Sequence, residues 1–299
     1  SMVTASNGRI FFTDVQGPMG EITSAKWGIL GNSKTAVIEI AEACGLHLVS
    51  KVNRNPMKAS SFGVGELLLA AIEKGANHII IGLGGSATND GGYGFLRAIG
   101  VKFLNSEGKE LNENFESLSS LSDINLSQID AQIKNVTIDI ACDVDNPLLG
   151  SQGASQIFAA QKGADSSMIR QLESTMTHYS RVISNKLNCD FLDQPGFGAA
   201  GGLGYGFSIF LDSKLKSGIN IVLERFNFSQ ILEGADLIVT GEGRIDSQSE
   251  RGKAPIGVIS HAKKHDCRVF VIAGSVDDSR KFVQNFGVDG IYSIVGESL

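Results

Sequence analysis

Four short, nearly continuous apolar runs, three of them closing on a glycine, stand out along the chain: 78–82, 236–241, 268–274 and 290–295. Hydrophobicity that does not alternate predicts strands buried on both faces, as in a parallel sheet covered by helices. Two stretches beside them predict helices: 62–74, which stops at Gly75, and 254–265, which runs into the next strand. Elsewhere the pattern shortens. Residues 9–15, 25–30 and 35–40 read as short strands broken by turns at Gly17-Pro18 and Gly31-Asn32, and 136–142 as another. The run 101–104, followed by Ser106, Glu107, Gly108 and Lys109, reads as a hairpin, and 165–187 is the longest helical pattern. Residues 3–8 read as the end of a helix stopped by Gly8, so the chain is expected to begin within an element.

A chain of 299 residues exceeds the size at which one core normally keeps growing, so two domains are expected. The pattern places an α/β, doubly wound (flavodoxin-like or Rossmann-like) parallel-sheet domain at 57–97 plus 229–299. A second, mixed α/β domain is then assembled from 1–56 and 98–228.

Composition changes this picture little. Apolar residues make up 42% and charged residues 19%, as in an ordinary globular protein. The net charge of −6 argues against a nucleic-acid partner or a membrane surface, and an anionic substrate then requires a local cationic site. The cysteines, Cys44, Cys142, Cys189 and Cys267, stand far apart with no CxxC and no metal-ligand spacing. Reduced thiols in a cytoplasmic protein are expected, with Cys142 and Cys267 as small buried hydrophobes. The pair His261 and His265 lacks a third ligand nearby and reads as an exposed helix face.

Four segments carry candidate chemistry. In the first, a strand runs into Gly82, Gly84 and Gly85 and then into the polar string Ser86, Thr88, Asn89, Asp90. Glycines after a strand expose backbone N–H groups to an anion, and the hydroxyls and carboxylate beside them suit a phosphate or carboxylate ligand. The alternative is a tight turn in which Ser or Asp caps a helix. The segment also satisfies G-x-G-x-x-A, which alone would suggest a nicotinamide-dependent oxidoreductase, although no acidic residue ending a following strand supports it.

In the second segment, the strand at 136–142 ends in Asp143, Asp145 and Asn146, with Pro147 stopping regular structure. Ligands of open α/β sheets gather outside the carboxyl ends of strands. Asp143 and Asp145 are candidates to hold Mg²⁺ or to take a proton from a substrate hydroxyl, a solvated Asx turn being the other reading. The third segment carries Glu242, Arg244 and Asp246, then Gly252-Lys253 opening a helix. Arg244 offers a fork for carboxylate or phosphate and Lys253 a point charge, but the Walker A spacing is not met. The fourth, 196–204, is so rich in small residues that close backbone approach, to a ligand or to another segment, is expected. Upstream, Lys162 sits in a short turn before the long helix.

Taken together, these segments resemble the glycerate-kinase-1 family. The likeness is carried by Gly17-Pro18-Met19-Gly20, by Asn55-Pro56 with Ser60-Ser61-Phe62-Gly63, and by 82–92. It continues through 141–148, 198–204, 241–246 and Gly252-Lys253-Ala254-Pro255. The resemblance implies transfer of a phosphoryl group from ATP to glycerate with Mg²⁺, in a two-domain α/β fold with the active site in the cleft between domains. It implies that Asp143, Asp145, Arg244 and Asp246 serve catalysis. Gly84, Gly85, Ser86, Asp90, Lys162, Glu242 and Lys253 would bind substrate or phosphate, with Asp143 and Asp145 at the metal.

Departures from the family pattern are also visible. Its opening Pro-Asp-Ser-Phe-Lys segment, a following Asp-Gly-Gly-Glu-Gly stretch and its C-terminal helical segment are not in the sequence, and Ala160 stands where proline is usual. A chain truncated at both ends is therefore expected. It would form a homodimer through exposed sheet edges and, as the alternative to a kinase, persist as a non-catalytic fragment that binds small anions.

Overall fold

A computed structural model describes residues 2–31, 33–129, 131, 133–189, 194–211, 213–245, 254–277 and 279–295. The chain forms two units, 1–215 and 216–299. In the first, the strands follow one another as β1 (Arg9–Gln16), β2 (Ile22–Ile29), β3 (Thr35–Glu39), β4 (His78–Gly82), β5 (Lys102–Leu104), β6 (Asp123–Asn125), β7 (Thr137–Ala141) and β8 (Ser213–Lys216). Six of these make one sheet in the order β1-β2-β3-β4-β7-β8, while β5 and β6 pair as a separate antiparallel ribbon. Helices α1 (Met2–Ala5), α2 (Ala41–Cys44), α3 (Phe62–Glu73), α4 (Tyr93–Ala98), α5 (Ala154–Phe158), α6 (Ser166–Leu187) and α7 (Ala199–Phe210) complete the unit.

Burial follows the apolar pattern. β4 lies between parallel neighbours β3 and β7, and its Ile79, Ile80 and Ile81 are all buried, as an unalternating run demands. β1 and β2 pair antiparallel and alternate instead. Ile10 and Phe12 are exposed, while Trp27 is buried, stacks on Phe11 at 4.8 Å and donates from Nε1 to Thr13 Oγ1. α6 starts where the Asp165 side chain accepts from the Ser167 and Met168 N–H groups, and it stops at left-handed Asn188. Between those ends it buries Leu172, Met176, Tyr179 and Ile183 at helical spacing against the core that also holds Phe95, Phe103, Tyr205 and Phe207.

The second unit carries a parallel sheet in the order β11-β10-β9, formed by β9 (Leu237–Ile245), β10 (Arg268–Val276) and β11 (Gly290–Ser293). Helices α8 (Gly218–Arg225), α9 (Phe228–Leu232), α10 (Ala254–Lys264) and α11 (Ser279–Phe286) belong to it. Val269, Val271 and Ala273 of β10 are buried in one cluster with Ile259, Ala262 and Phe282. Leu237, Val239, Ile272 and Tyr292 are exposed, so these strands are not buried on both faces as their composition suggests.

The sheet pairing also divides the chain differently from the expected joining of 57–97 with 229–299. His78–Gly82 pairs with Thr35–Glu39 on one side and Thr137–Ala141 on the other, which places it in the first unit. Apolar runs of similar composition carry no local record of which run they pair with; that choice is made by the packing of the whole core.

Candidate active site

The parallel register of β4 and β7 sets Gly82 beside Ala141, so both strands release their chains at one end of the sheet. From β4 comes the glycine loop, and from β7 the stretch with Cys142, Asp143, Val144 and Asp145. The loop is tied down at two points: Leu46 N donates to Gly85 O and Ala87 N to Cys44 O, both at 2.8 Å. With Gly85 at φ +73°, the N–H groups of Gly84, Gly85 and Ser86 are left without an acceptor among the described residues. A side-chain carbon added at Gly84 would meet nothing within 4 Å, so the loop faces open space there. Adjacent unpaired amides of this kind form a nest for an anion.

Lys162 supplies the charge. It ends a short 3₁₀ turn, Ala160–Lys162, and its ammonium donates to Ser86 Oγ at 2.9 Å and Thr88 O at 2.6 Å. Only 3% of the residue is exposed. Burial pushes its pKa down to about 8, opposed by the fields of Cys44 and Asp90. Cys44, fully buried beneath the loop, is driven up to about 12, first by burial and then by Asp90.

A cavity of about 400 Å³ brings these groups together. Its walls include Gly84, Gly85, Ser86, Asp143 and Lys162, with Leu46, Leu83 and Phe158 as apolar surface. Asp143 and Asp145 are both exposed, Asp145 two residues further along the same loop. Cys142 also lines the cavity and is only partly buried, its thiol donating to Val144 O, so it is not the enclosed hydrophobe its strand suggests. Cys267 is buried, as expected.

Asp90 has a different task from the expected ligand contact. Its Oδ2 accepts from Ser61 N, Ser61 Oγ and Gly94 N, and its Oδ1 from Gly92 N. Burial raises its pKa while these hydrogen bonds lower it. Asp90 therefore braces the start of α4 against Ser61, which is the capping alternative, whereas the amides of Gly84–Ser86 stay unpaired where these residues line the cavity. α4 begins only at Tyr93, with residues 83–92 between it and the end of β4, so the strand–turn–helix geometry of a dinucleotide fingerprint is not formed.

The glycine-rich segment 196–204 clamps the nest loop. Ala200, Gly201 and Gly202 are all left-handed, with φ of 53°, 71° and 93°, and they kink α7 at its start. A side-chain carbon at Gly201 would lie 2.0 Å from Thr88 O, and Gly91 N donates to Gly201 O at 3.0 Å. Close approach to another segment is thus realised, while Ala199 and Ala200 also line the cavity.

Glu242 and Arg244 belong to the second unit, on β9, where Arg244 Nη2 pairs with both carboxylate oxygens of Asp277 at 3.0 and 3.2 Å. Asp246 and Lys253 lie outside the described residues. Leu46 and Gln161 also line the cavity, and neither carried a signal along the chain.

An amide nest, a buried lysine and a strand-end carboxylate thus meet on one cavity of this α/β chain. The chain belongs to the glycerate kinase family, whose model matches residues 1–299. It is 46% identical over 295 residues to a glycerate kinase of Bacillus subtilis and 47% identical over 295 residues to the glycerate 2-kinase of Escherichia coli K12. Each match spans 99% of this chain and 77% of the relative. A crystal structure described as a glycerate kinase 2 of Salmonella typhimurium LT2 superposes with a TM-score of 0.85 at 42% identity, covering 98% of this chain and 76% of that one. Among the described residues, no helix is long and apolar enough to cross a membrane.

Proposed function

We propose that this chain is an ATP-dependent glycerate kinase, transferring the terminal phosphoryl group of ATP to a hydroxyl of glycerate to give phosphoglycerate and ADP. The observation that carries this reading is the meeting of the Gly84–Ser86 amides, the Lys162 ammonium and the Asp143 carboxylate around one cavity. Phosphoryl transfer needs little covalent chemistry from the protein; it needs reactants in line and charge stabilised on the moving group. The nest and Lys162 take up that charge at the equatorial oxygens. Asp143 accepts the hydroxyl proton as the substrate oxygen bonds to phosphorus and the bond to the leaving ADP oxygen breaks.

The donor set fits Mg²⁺. Asp143 and Asp145 offer hard carboxylate oxygens on one loop. This suits an ion that rides on phosphate oxygens and keeps several waters. When bound, Mg²⁺ neutralises phosphate charge. Asp143, which lines the cavity, and Asp145, two residues further along the same loop, are the residues that would hold it. Arg244, on β9 of the second unit, pairs there with Asp277, and its planar fork is of the kind that suits phosphate or carboxylate. Widely spaced cysteines with no CxxC support a cytoplasmic setting.

A coupled ADP-release assay with D-glycerate tests the proposal. Asp143→Ala should lower kcat by about 10²–10⁴-fold with the melting temperature nearly unchanged. Near-normal turnover in both Asp143→Ala and Asp145→Ala would abandon the site assignment. Phosphate binding by the wild-type chain without glycerate-dependent ADP release would refute the kinase reading and leave an anion-binding protein.

A further inference from the structure

The first unit holds a second cavity, of about 490 Å³, whose polar lining is mainly cationic and amide. Arg54 and Lys58 line it with Ser50, Asn53 and Asn55, and Glu21 is the single carboxylate in that lining. Neither Arg54 nor Lys58 has a carboxylate partner among the described residues. Arg54 is held only by a long hydrogen bond of 3.4 Å from Nη1 to the Gln161 carbonyl. Its Nε is buried with no acceptor. A guanidinium in this condition breaks no ion pair when it turns to an anion, and it gains the acceptor its N–H groups lack.

The position of this cavity matters as much as its charge. Gln161 lines the nest cavity and immediately precedes Lys162. Gly163 follows at φ +98°, and a side-chain carbon there would lie 2.4 Å from Arg54 O. The Arg54 segment, which lines this cavity, and the lysine turn, which lines the nest cavity, are therefore in backbone contact. Arginine's planar fork pairs with carboxylate or phosphate alike; with the amide nest and Lys162 taking the phosphoryl group, the carboxylate of the acid is the anion left for Arg54.

We propose that the Arg54–Lys58 cavity is a second anion-binding site, for a small carboxylate, and that the acid substrate provides it. Naming glycerate as that carboxylate rests on the kinase reading. Recognition of a carboxylate by Arg54 does not require turnover and is measurable without it.

Calorimetric titration of D-glycerate, inorganic phosphate and ADP into the wild-type chain, Arg54→Lys, Arg54→Ala and Lys58→Ala tests this. Arg54→Ala should weaken glycerate by about 10- to 100-fold, the range for a charge-assisted hydrogen bond. Arg54→Lys, which keeps the charge and loses the fork, should fall between it and the wild type. Lys58→Ala, at an exposed position that leaves the fold intact, should weaken glycerate several-fold. ADP affinity should stay within about twofold in all three, since the nest is untouched. Unchanged glycerate binding in Arg54→Lys and Lys58→Ala overturns the proposal. So does loss of ADP or inorganic phosphate binding while glycerate is retained. Arg54-dependent glycerate binding without ADP release from ATP would refute the kinase activity and uphold the site. Wild-type KM for glycerate in Arg54→Lys and Lys58→Ala would do the reverse.

Discussion

Replacing Lys162 by methionine separates what the buried ammonium does for the fold from what it does for a ligand. A pKa lowered from 10.5 to about 8 means that keeping the charge inside costs about 3 kcal/mol at neutral pH, and with 3% exposure solvent screening relieves little of it. The ammonium returns part of that through its hydrogen bonds to Ser86 Oγ and Thr88 O. Leaving those buried acceptors without a donor costs about 1–3 kcal/mol each. Methionine fills similar space without charge, so the opposing contributions should leave unfolding free energy within about 2 kcal/mol of wild type, measured by urea denaturation. Loss of the cation beside the nest should instead lower kcat/KM for ATP by about 10²–10³-fold in the ADP-release assay. Near-wild-type kcat/KM in a folded Lys162→Met protein would refute the assignment of Lys162 to the phosphoryl site. A stability loss above about 4 kcal/mol would show that the ammonium is chiefly a structural pin.

The same lysine sets a pH dependence. Its folded pKa lies below the 10.5 of the ordinary group, so between about pH 8 and 10.5 the unfolded chain holds a proton that the folded chain has released. Its contribution to stability is therefore least favourable below pH 8 and improves as pH rises through that window, and Lys162→Met should remove this slope. Over the same range kcat/KM for ATP should fall, with a midpoint near pH 8, as the nest loses its cation. Gly201→Ala places a side-chain carbon against Thr88 O in a left-handed backbone and should destabilise the first unit by about 2–4 kcal/mol; an unchanged melting temperature would refute the clamp. Asp90→Asn removes the charge and part of the acceptor capacity that holds Ser61, Gly92 and Gly94, which should cost about 2–4 kcal/mol by chemical denaturation.

Much of the site was legible along the chain because its parts are local. A run of glycines after an apolar strand exposes amides whatever the rest of the protein does, so Gly84, Gly85 and Ser86 could be read directly. Asp143 could be read for the same reason: it is among the first residues beyond a strand, where parallel sheets open. The family motifs added the chemistry. The helix boundaries at Asp165 and Glu73 likewise follow from caps and apolar spacing within a few residues.

What only the tertiary structure decided are the meetings between residues distant in sequence. Lys162 reaches Ser86 across 76 positions, and Asp90 reaches back 29 to Ser61, which turned an expected ligand into a brace. The partners of His78–Gly82 fixed which unit it joins, and the contact of Gly163 with Arg54 set a second cationic cavity beside the first. Periodicity, caps and turn chemistry act over a few residues and specify elements. Which elements touch, and so which charges share a cavity, depends on burying all the apolar surface at once, a condition that no short stretch of sequence contains.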